Sequence, residues 1–210
     1  MKISASFLES NNIIEDIYKL DKTDVDYLHV DIMDGNWVKR KTFKYKEIKH
    51  YTSNISKRLD IHLMVKKPLK YVKKYIDLNV AFITIHLEDT IDLNKTINYI
   101  KAHNIKVGLS IKPETNFESL YPYLEKIDLV LLMGVNPGYG GQKIVDNINE
   151  RLTKLKNYLN TKKLNTLISV DGGINNDNKH LVSKADILVI GSYILNSNNY
   201  QEQINKMRGN

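Results

Sequence analysis

Eight short runs rich in β-branched and aliphatic residues recur along this chain at nearly even spacing, and most are separated by a stretch with helical periodicity. No other feature constrains the fold as much, because a strand–helix–strand rhythm leads to a parallel sheet whose crossovers are helices. The predicted strands are Lys2–Phe7, Tyr27–Met33, Leu59–Val65, Ala81–His86, Lys106–Ile111, Leu129–Val135, Leu167–Asp171 and Ile187–Ile190. Ile13, Ile14, Ile17 and Leu20 fall on one helical face after the first strand, and Tyr71, Val72, Tyr75 and Ile76 do so after the third. After the sixth, Ile144, Ile148, Leu152, Leu155 and Leu159 make an apolar helical stripe. Thr115 with Glu118 reads as a capping box opening a helix after the fifth strand, which Pro122 should kink or shorten. The connections over residues 36–58 and after the seventh strand carry the weakest helical pattern.

Eight units in 210 residues average about 26 residues each, which places the chain near the lower size limit of the (β/α)8 TIM barrel. No Pro-, Gly- or Ser-rich linker interrupts the rhythm, so residues 1–210 are read as one domain. The rival, an open doubly wound sheet, wants a glycine-rich turn after its first strand. Here Phe7 is followed by Leu8-Glu9-Ser10-Asn11-Asn12. The absence of cysteine excludes disulfides, thiolate zinc sites and a cysteine nucleophile. No apolar run approaches the roughly 18–20 residues of a membrane span. The segment Met1–Phe7 reads as a strand rather than a signal peptide. A soluble cytoplasmic protein without a membrane partner is expected.

Lys+Arg number 31 against 24 Asp+Glu, for a net charge of +7. The densest basic stretch is Lys39-Arg40-Lys41-Thr42-Phe43-Lys44-Tyr45-Lys46, with Lys49 beyond it. Such a run is ordinarily a solvated loop and helix face, and it can also steer an anionic ligand toward a nearby cleft. Nucleic acid is not an expected partner, because no zinc finger, RNA-binding strand motif or coherent basic helix accompanies the charge.

The strands carry polar residues where a barrel interior begins. Strict alternation puts His29, Asp31 and Met33 on one face of the second strand and Leu28, Val30 and Ile32 on the other. Asp60, His62 and Met64 repeat this in the third, Thr84 and His86 in the fourth, and Ser169 and Asp171 in the seventh. The purely apolar faces belong under the helices, so the polar ones point inward, and they gather toward the strand ends where barrel enzymes hold their active sites. Singly, each residue has an ordinary structural reading: a strand histidine is commonly a satisfied core residue, Asp34 and Asp60 serve as turn or structural carboxylates, and Met33, Met64 and Met133 fill a core. Together, two histidines and two aspartates converging from three strands fit a divalent cation, since buried carboxylates are costly unless paired or metal-bound.

Glycine-rich turns follow the last three strands: Asn136-Pro137-Gly138-Tyr139-Gly140-Gly141-Gln142, Asp171-Gly172-Gly173 and Gly191-Ser192. Any one of them can be a mere tight turn. Two at the ends of strands seven and eight match the place where barrels hold a phosphate on backbone N–H groups.

These residues resemble the ribulose-phosphate 3-epimerase family nearly end to end. The likeness is carried by His29-Val30-Asp31-Ile32-Met33-Asp34-Gly35, Leu59-Asp60-Ile61-His62-Leu63-Met64-Val65, Val135-Asn136-Pro137-Gly138-Tyr139-Gly140-Gly141-Gln142-Lys143 and Val170-Asp171-Gly172-Gly173. Ile83-Thr84-Ile85-His86 and Ile190-Gly191-Ser192 add to it. The resemblance implies a ribulose-phosphate-binding barrel with a mobile lid after strand six. It implies one divalent metal ion (zinc, manganese, iron or cobalt) on His29, Asp31, His62 and Asp171, with Asp31 and Asp171 as the acid/base pair. By the same carry-over Ser6, His62, Gly138, Tyr139, Gly140, Gly141, Asp171, Gly172, Gly173, Gly191 and Ser192 contact the substrate, and Met33, Met64 and Met133 flank the enediolate. The implied reaction inverts C3 of a ketose phosphate by moving protons through two carboxylates, with the metal as Lewis acid. Ribulose 5-phosphate to xylulose 5-phosphate comes first. Family members are commonly dimers or hexamers, so a homo-oligomer is expected.

The chain departs from the family pattern at Ala5 (usually Pro), at Asn36-Trp37-Val38-Lys39-Arg40, at Ser110-Ile111-Lys112-Pro113-Glu114-Thr115 and at Gly134 (usually a small hydroxyl residue). None removes a metal ligand or an acid/base carboxylate. They bear on which sugar is read, and allulose 6-phosphate is the competing substrate. A lyase or decarboxylase on the same barrel wants Asp-x-Lys-x-x-Asp at strand three, where this chain has Asp60-Ile61-His62-Leu63-Met64. A non-catalytic sugar-phosphate-binding relative is the other alternative.

Overall fold

Each apolar run becomes a strand, and each strand pairs in parallel with the next. The computed structural model describes residues 1–88 and 91–209. Its elements run β1 (Lys2–Ser6), α1 (Ile13–Asp21), β2 (Tyr27–Met33), α2 (Tyr45–Tyr51), β3 (Arg58–Met64), α3 (Pro68–Tyr75), β4 (Val80–His86) and α4 (Leu93–Lys101). There follow β5 (Lys106–Ile111), a 3-10 helix (Phe117–Lys126), β6 (Leu129–Met133), α5 (Ile148–Lys162), β7 (Leu167–Asp171), a 3-10 turn (Lys179–Val182), β8 (Ile187–Ile190), α6 (Ser192–Leu195) and α7 (Tyr200–Arg208). Because β8 also pairs in parallel with β1, the sheet closes into the expected eight-stranded (β/α)8 barrel.

The period-2 alternation sorts side chains into two cores. Leu28, Val30 and Ile32 of β2 join Ile61 and Leu63 of β3 and Ile17 and Leu20 of α1 in one apolar layer between barrel and helices. Burying each such side chain contributes roughly 1.5–3 kcal/mol, and this layer holds the strands in place. Inside the barrel, Phe82, Leu129 and Ile187 plug the end where the strands begin, and Leu131, Met133 and Val189 pack further along. A register shift pairs Leu59 with Val80 but Asp60 with Phe82, leaving Ala81 as an extra residue in β4. That bulge keeps Thr84 and His86 pointing into the barrel beside β3.

The helix expected after the fifth strand is different in kind. Thr115 does not cap it, since its Oγ1 donates to Glu88 Oε1 at 2.7 Å. Asn116 is the cap, accepting from the Glu118 N–H at 3.1 Å, and the segment winds as a 3-10 helix. Pro122 lies inside it and has no N–H for an α-helical bond. Ile144 lies ahead of α5, which starts at Ile148, yet is still buried. Residues 36–58 do contain a helix, α2, while a short 3-10 turn follows β7. Phe7, Val65 and Val135 fall just outside their strands.

Candidate active site

Along β2 and β3 the pairing places Asp31 opposite His62, and β7 brings Asp171 to the same level from the other side of the barrel mouth. His29 sits one turn of the pleat below Asp31 on the same face. These four residues present one ligand atom each within 4.8 Å of one another. His29 Nε2 lies 3.3 Å from Asp31 Oδ1 and 3.8 Å from Asp171 Oδ2. His62 Nδ1 lies 3.2 Å from Asp31 Oδ1 and 3.7 Å from Asp171 Oδ2.

Each imidazole is held from behind. Asp60 Oδ2 is 2.9 Å from His29 Nδ1 and accepts a second bond from Ser4 Oγ at 2.8 Å. A carboxylate only accepts, so His29 keeps a proton on Nδ1 and turns Nε2 toward the cluster. That Nε2 is buried without a hydrogen-bond partner. His62 Nε2 is 2.8 Å from His86 Nε2, and His86 Nδ1 is 3.2 Å from Glu88 Oε2. A buried nitrogen aimed at two carboxylates and a second imidazole, with outer partners orienting both rings, fits a divalent cation with nitrogen and oxygen ligands.

The electrostatics separate the two carboxyls. Burial opposes charge on Asp31, but His29 and His62 hold it well below the usual carboxylate range. Burial, then the charge of Asp31, pushes Asp171 up to about 6, against the pull of the same two imidazoles. Burial disfavours a charged His29, but Asp31 and Asp60 outweigh it and lift its pKa well above the ordinary value. A cation held there would take the place of that proton. Burial holds His86 down at about 4. Glu88 is lowered to about 2, burial being outweighed by hydrogen bonds from His86, the Lys112 N–H and Thr115.

Above the cluster opens a cleft of about 610 Å³. Ser6, Asp31 and Asp171 line it together with the thioethers of Met33, Met64 and Met133. Gly138, Tyr139, Gly140 and Gly141 form one wall, and Gly172, Gly173, Gly191 and Ser192 form the end expected to take a phosphate. His29 and His62 lie fully buried beneath this surface. Gly172 has φ +107° and Gly173 φ +72°, and a Cβ on Gly172 would lie 2.3 Å from Val135 Cγ2, so this turn requires glycine. Asp34 is a turn carboxylate, accepting from the N–H groups of Asn36 and Trp37 at 2.8 Å each and of Lys66 at 3.0 Å.

Sequence reading missed three features. Arg40 NH1 donates to Glu9 Oε1, which also accepts from the Gly140 N–H at 2.9 Å, so three loops are tied together over the cleft. Asn196, Ser197 and Gln203 add polar lining beyond Ser192. Glu88 stands behind His86; only the inward parity of Thr84 and His86 along β4, continued two residues past its end, could have hinted at it. Two of the family departures meet at that point: the Trp37 ring lies 4.2 Å from the His86 ring, and Lys112 Nζ lies 4.6 Å from the Trp37 ring centre. Ala5 belongs to the layer under the helices.

The sequence profile of the Ribulose-phosphate 3 epimerase family matches residues 2–195. The chain belongs to this family. A ribulose-phosphate 3-epimerase of Buchnera aphidicola is 38% identical over 213 aligned residues, which cover 98% of this chain and 93% of the relative. One of Bacillus subtilis is 32% identical, covering 99% of this chain and 95% of its own. Membership makes this chain an isomerase, an epimerase acting on carbohydrates. Solved structures agree on the fold: 3-hexulose-6-phosphate synthase from Salmonella typhimurium superposes with TM-score 0.70 at 15% identity, covering 100% of this chain and 97% of that one. Mycobacterium tuberculosis tryptophan synthase gives 0.71 at 11% identity, covering 99% and 91%. No helix among the described residues is long and apolar enough to cross a membrane.

Proposed function

We propose that this chain interconverts D-ribulose 5-phosphate and D-xylulose 5-phosphate, with Asp31 and Asp171 as the two proton-transferring groups. The observation that carries the reading is the cluster of His29, Asp31, His62 and Asp171 at the floor of a cleft whose far wall is a glycine cradle. His29, Asp31, His62 and Asp171 would hold one divalent cation (zinc, manganese, iron or cobalt), whose Lewis acidity makes the proton beside the ketose carbonyl easier to remove.

The residues divide the remaining work. Asp31 is kept ionised by two imidazoles and starts as the base that takes the C3 proton. Asp171, pushed up by burial and by the charge of Asp31, starts as the acid that returns a proton to the opposite face. In the reverse direction they exchange roles. Met33, Met64 and Met133 line the space between them with thioether surface and keep water from the proton-depleted carbon. Backbone N–H groups of Gly172, Gly173, Gly191 and Ser192 receive the phosphate, and Gly138, Tyr139, Gly140 and Gly141 cover the sugar. Ser6 Oγ donates to Asp31 Oδ2 at 3.0 Å and holds that carboxylate in place.

The test is proton exchange at C3. Incubated in D2O with Mn²⁺ or Zn²⁺, the enzyme is expected to convert ribulose 5-phosphate to xylulose 5-phosphate carrying deuterium at C3, faster than it acts on allulose 6-phosphate. A preference for allulose 6-phosphate would reassign the substrate. No deuterium uptake from either would leave the chain a sugar-phosphate binder.

A further inference from the structure

Behind His62 runs a line of three side chains that reaches away from the cleft: His62, His86 and Glu88. His62 Nε2 and His86 Nε2 lie 2.8 Å apart, and both residues are buried. Two imidazole nitrogens at that distance need one proton between them, so one ring donates and the other accepts. Glu88 determines which. Its Oε1 accepts from the Lys112 backbone N–H at 2.7 Å and from Thr115 Oγ1 at 2.7 Å, and its Oε2 faces His86 Nδ1 at 3.2 Å. An ionised carboxylate has no proton to give, so His86 carries its proton on Nδ1 and offers a lone pair at Nε2. A cation on His62 Nδ1, the atom 3.2 Å from Asp31 and 3.7 Å from Asp171, would require His62 to donate from Nε2, and His86 then stands ready to accept. Without a cation the ionised Asp31 accepts a proton from that same Nδ1.

We propose that Glu88 is a positioning residue that fixes the tautomer of His86 and so keeps an acceptor facing His62 Nε2, letting His62 hold its proton there when Nδ1 turns to the catalytic cation. This rests on the reading of the cluster as a cation site. It differs from the support of His29, where a single carboxylate acts directly, because here the signal passes through a second ring. Trp37, 4.2 Å from the His86 ring, covers that relay, and Lys112 contributes both the N–H that orients Glu88 and the ammonium 4.6 Å from the indole. The family departures at these two positions therefore converge on the relay.

Glu88→Gln tests it with no change of size. The Lys112 N–H can only donate, so it selects the amide oxygen at the Oε1 position and turns the NH2 toward His86 Nδ1. His86 must then accept at Nδ1 and carry its proton on Nε2, His62 must accept at Nε2, and its own proton is held on Nδ1, where the cation binds. In the metal-free protein, long-range ¹⁵N–¹H correlation spectra are expected to show His86 protonated on Nδ1 in the wild type and on Nε2 in E88Q. Competition titration with Zn²⁺ is expected to show affinity about 10–100-fold weaker in E88Q, the usual loss when an outer partner of a ligand is removed. A merely structural role would lower the melting temperature and move neither readout. If E88Q keeps His86 protonated on Nδ1 and the wild-type Zn²⁺ affinity, the relay is wrong. If the wild type binds no Zn²⁺, the cation reading of the site fails, while the tautomer spectra still decide whether Glu88 controls the His86 ring behind His62.

Discussion

Asp31 and Asp171 share one cavity but hold their protons differently, because two imidazoles face Asp31 closely while Asp171 meets chiefly burial and the charge of its neighbour. Replacing either carboxylate by its isosteric amide removes a proton carrier and an anionic ligand of the proposed cation without changing the size of the side chain. Asp31→Asn and Asp171→Asn are each expected to lower kcat by about 10³-fold or more, within the range for loss of positioned proton transfer. Circular dichroism spectra and melting temperatures should stay close to wild type, and a variant that retains near-normal turnover would take that residue out of the chemistry. Glu88 makes a second prediction, on stability. Its pKa in the folded chain is about 2, below the ordinary 4.5. A depressed carboxyl pKa stabilises the fold fully above the unfolded value and loses that contribution as pH falls through the folded one. The urea midpoint of the wild type is therefore expected to exceed that of E88Q at pH 6, with the gap narrowing between about pH 4.5 and pH 2. A gap that stays constant over this interval would show that the carboxylate charge is not what stabilises the network.

The elements that alternate cleanly were legible in the sequence, and the loops that meet over the cleft were not. Leu28, Val30 and Ile32 against His29, Asp31 and Met33 announce a strand with one face under helices and one face inside a barrel, and the structure keeps that division residue by residue. The same parity puts Asp171 and His62 on the inward faces of their strands. Periodicity failed where a local competitor intervened: Pro122 and the Asn116 cap turned an expected α-helix into a 3-10 helix, and Thr115 bonded to Glu88 instead of its own backbone. The tie between Glu9, Arg40 and Gly140 spans 31 and 131 residues of sequence, and no local pattern encodes contacts at that separation. Its consequence is testable. Glu9 and Arg40 hold the loop after β6 against the loops after β1 and β2, so less ordering remains to be done when substrate binds. A partly exposed ion pair contributes about 0.2–1 kcal/mol, so Glu9→Gln and Arg40→Gln are each expected to raise KM by up to about five-fold with kcat little changed. The two variants shift the net charge in opposite directions, so steady-state kinetics showing a KM rise in both would isolate the tie from any field effect, and opposite changes in KM would refute it.

On the scale of the whole molecule, the net charge of +7 and the position of the basic run act together. Residues 39–44 belong to the connection after β2, so they lie at the C-terminal end of the barrel, the same end as the cleft. Lys39, Lys41, Lys44 and Lys46 are exposed there, and Arg40 is committed to Glu9. An exposed cluster of one sign beside a low-dielectric cleft raises the local concentration of an oppositely charged ligand, and a sugar phosphate is an anion at neutral pH. On the proposed reading, the loop after β2 carries the anion-collecting charge and the loops after β7 and β8 the phosphate cradle, all at the same end of the barrel. Salt screens the first and leaves the enclosed proton transfers largely untouched, because the Debye length falls from about 30 Å at 0.01 M to about 10 Å at 0.1 M. Between 0.01 M and 0.3 M KCl, kcat/KM for the ketose phosphate is expected to fall several-fold while kcat changes less than two-fold. The Lys39→Gln/Lys41→Gln double variant should start from a lower kcat/KM at 0.01 M and show a flatter salt dependence, converging with the wild type at 0.3 M. A wild-type kcat/KM that does not respond to salt, or a double variant with an undiminished slope, would reduce the basic run to a solvated surface with no part in capturing substrate.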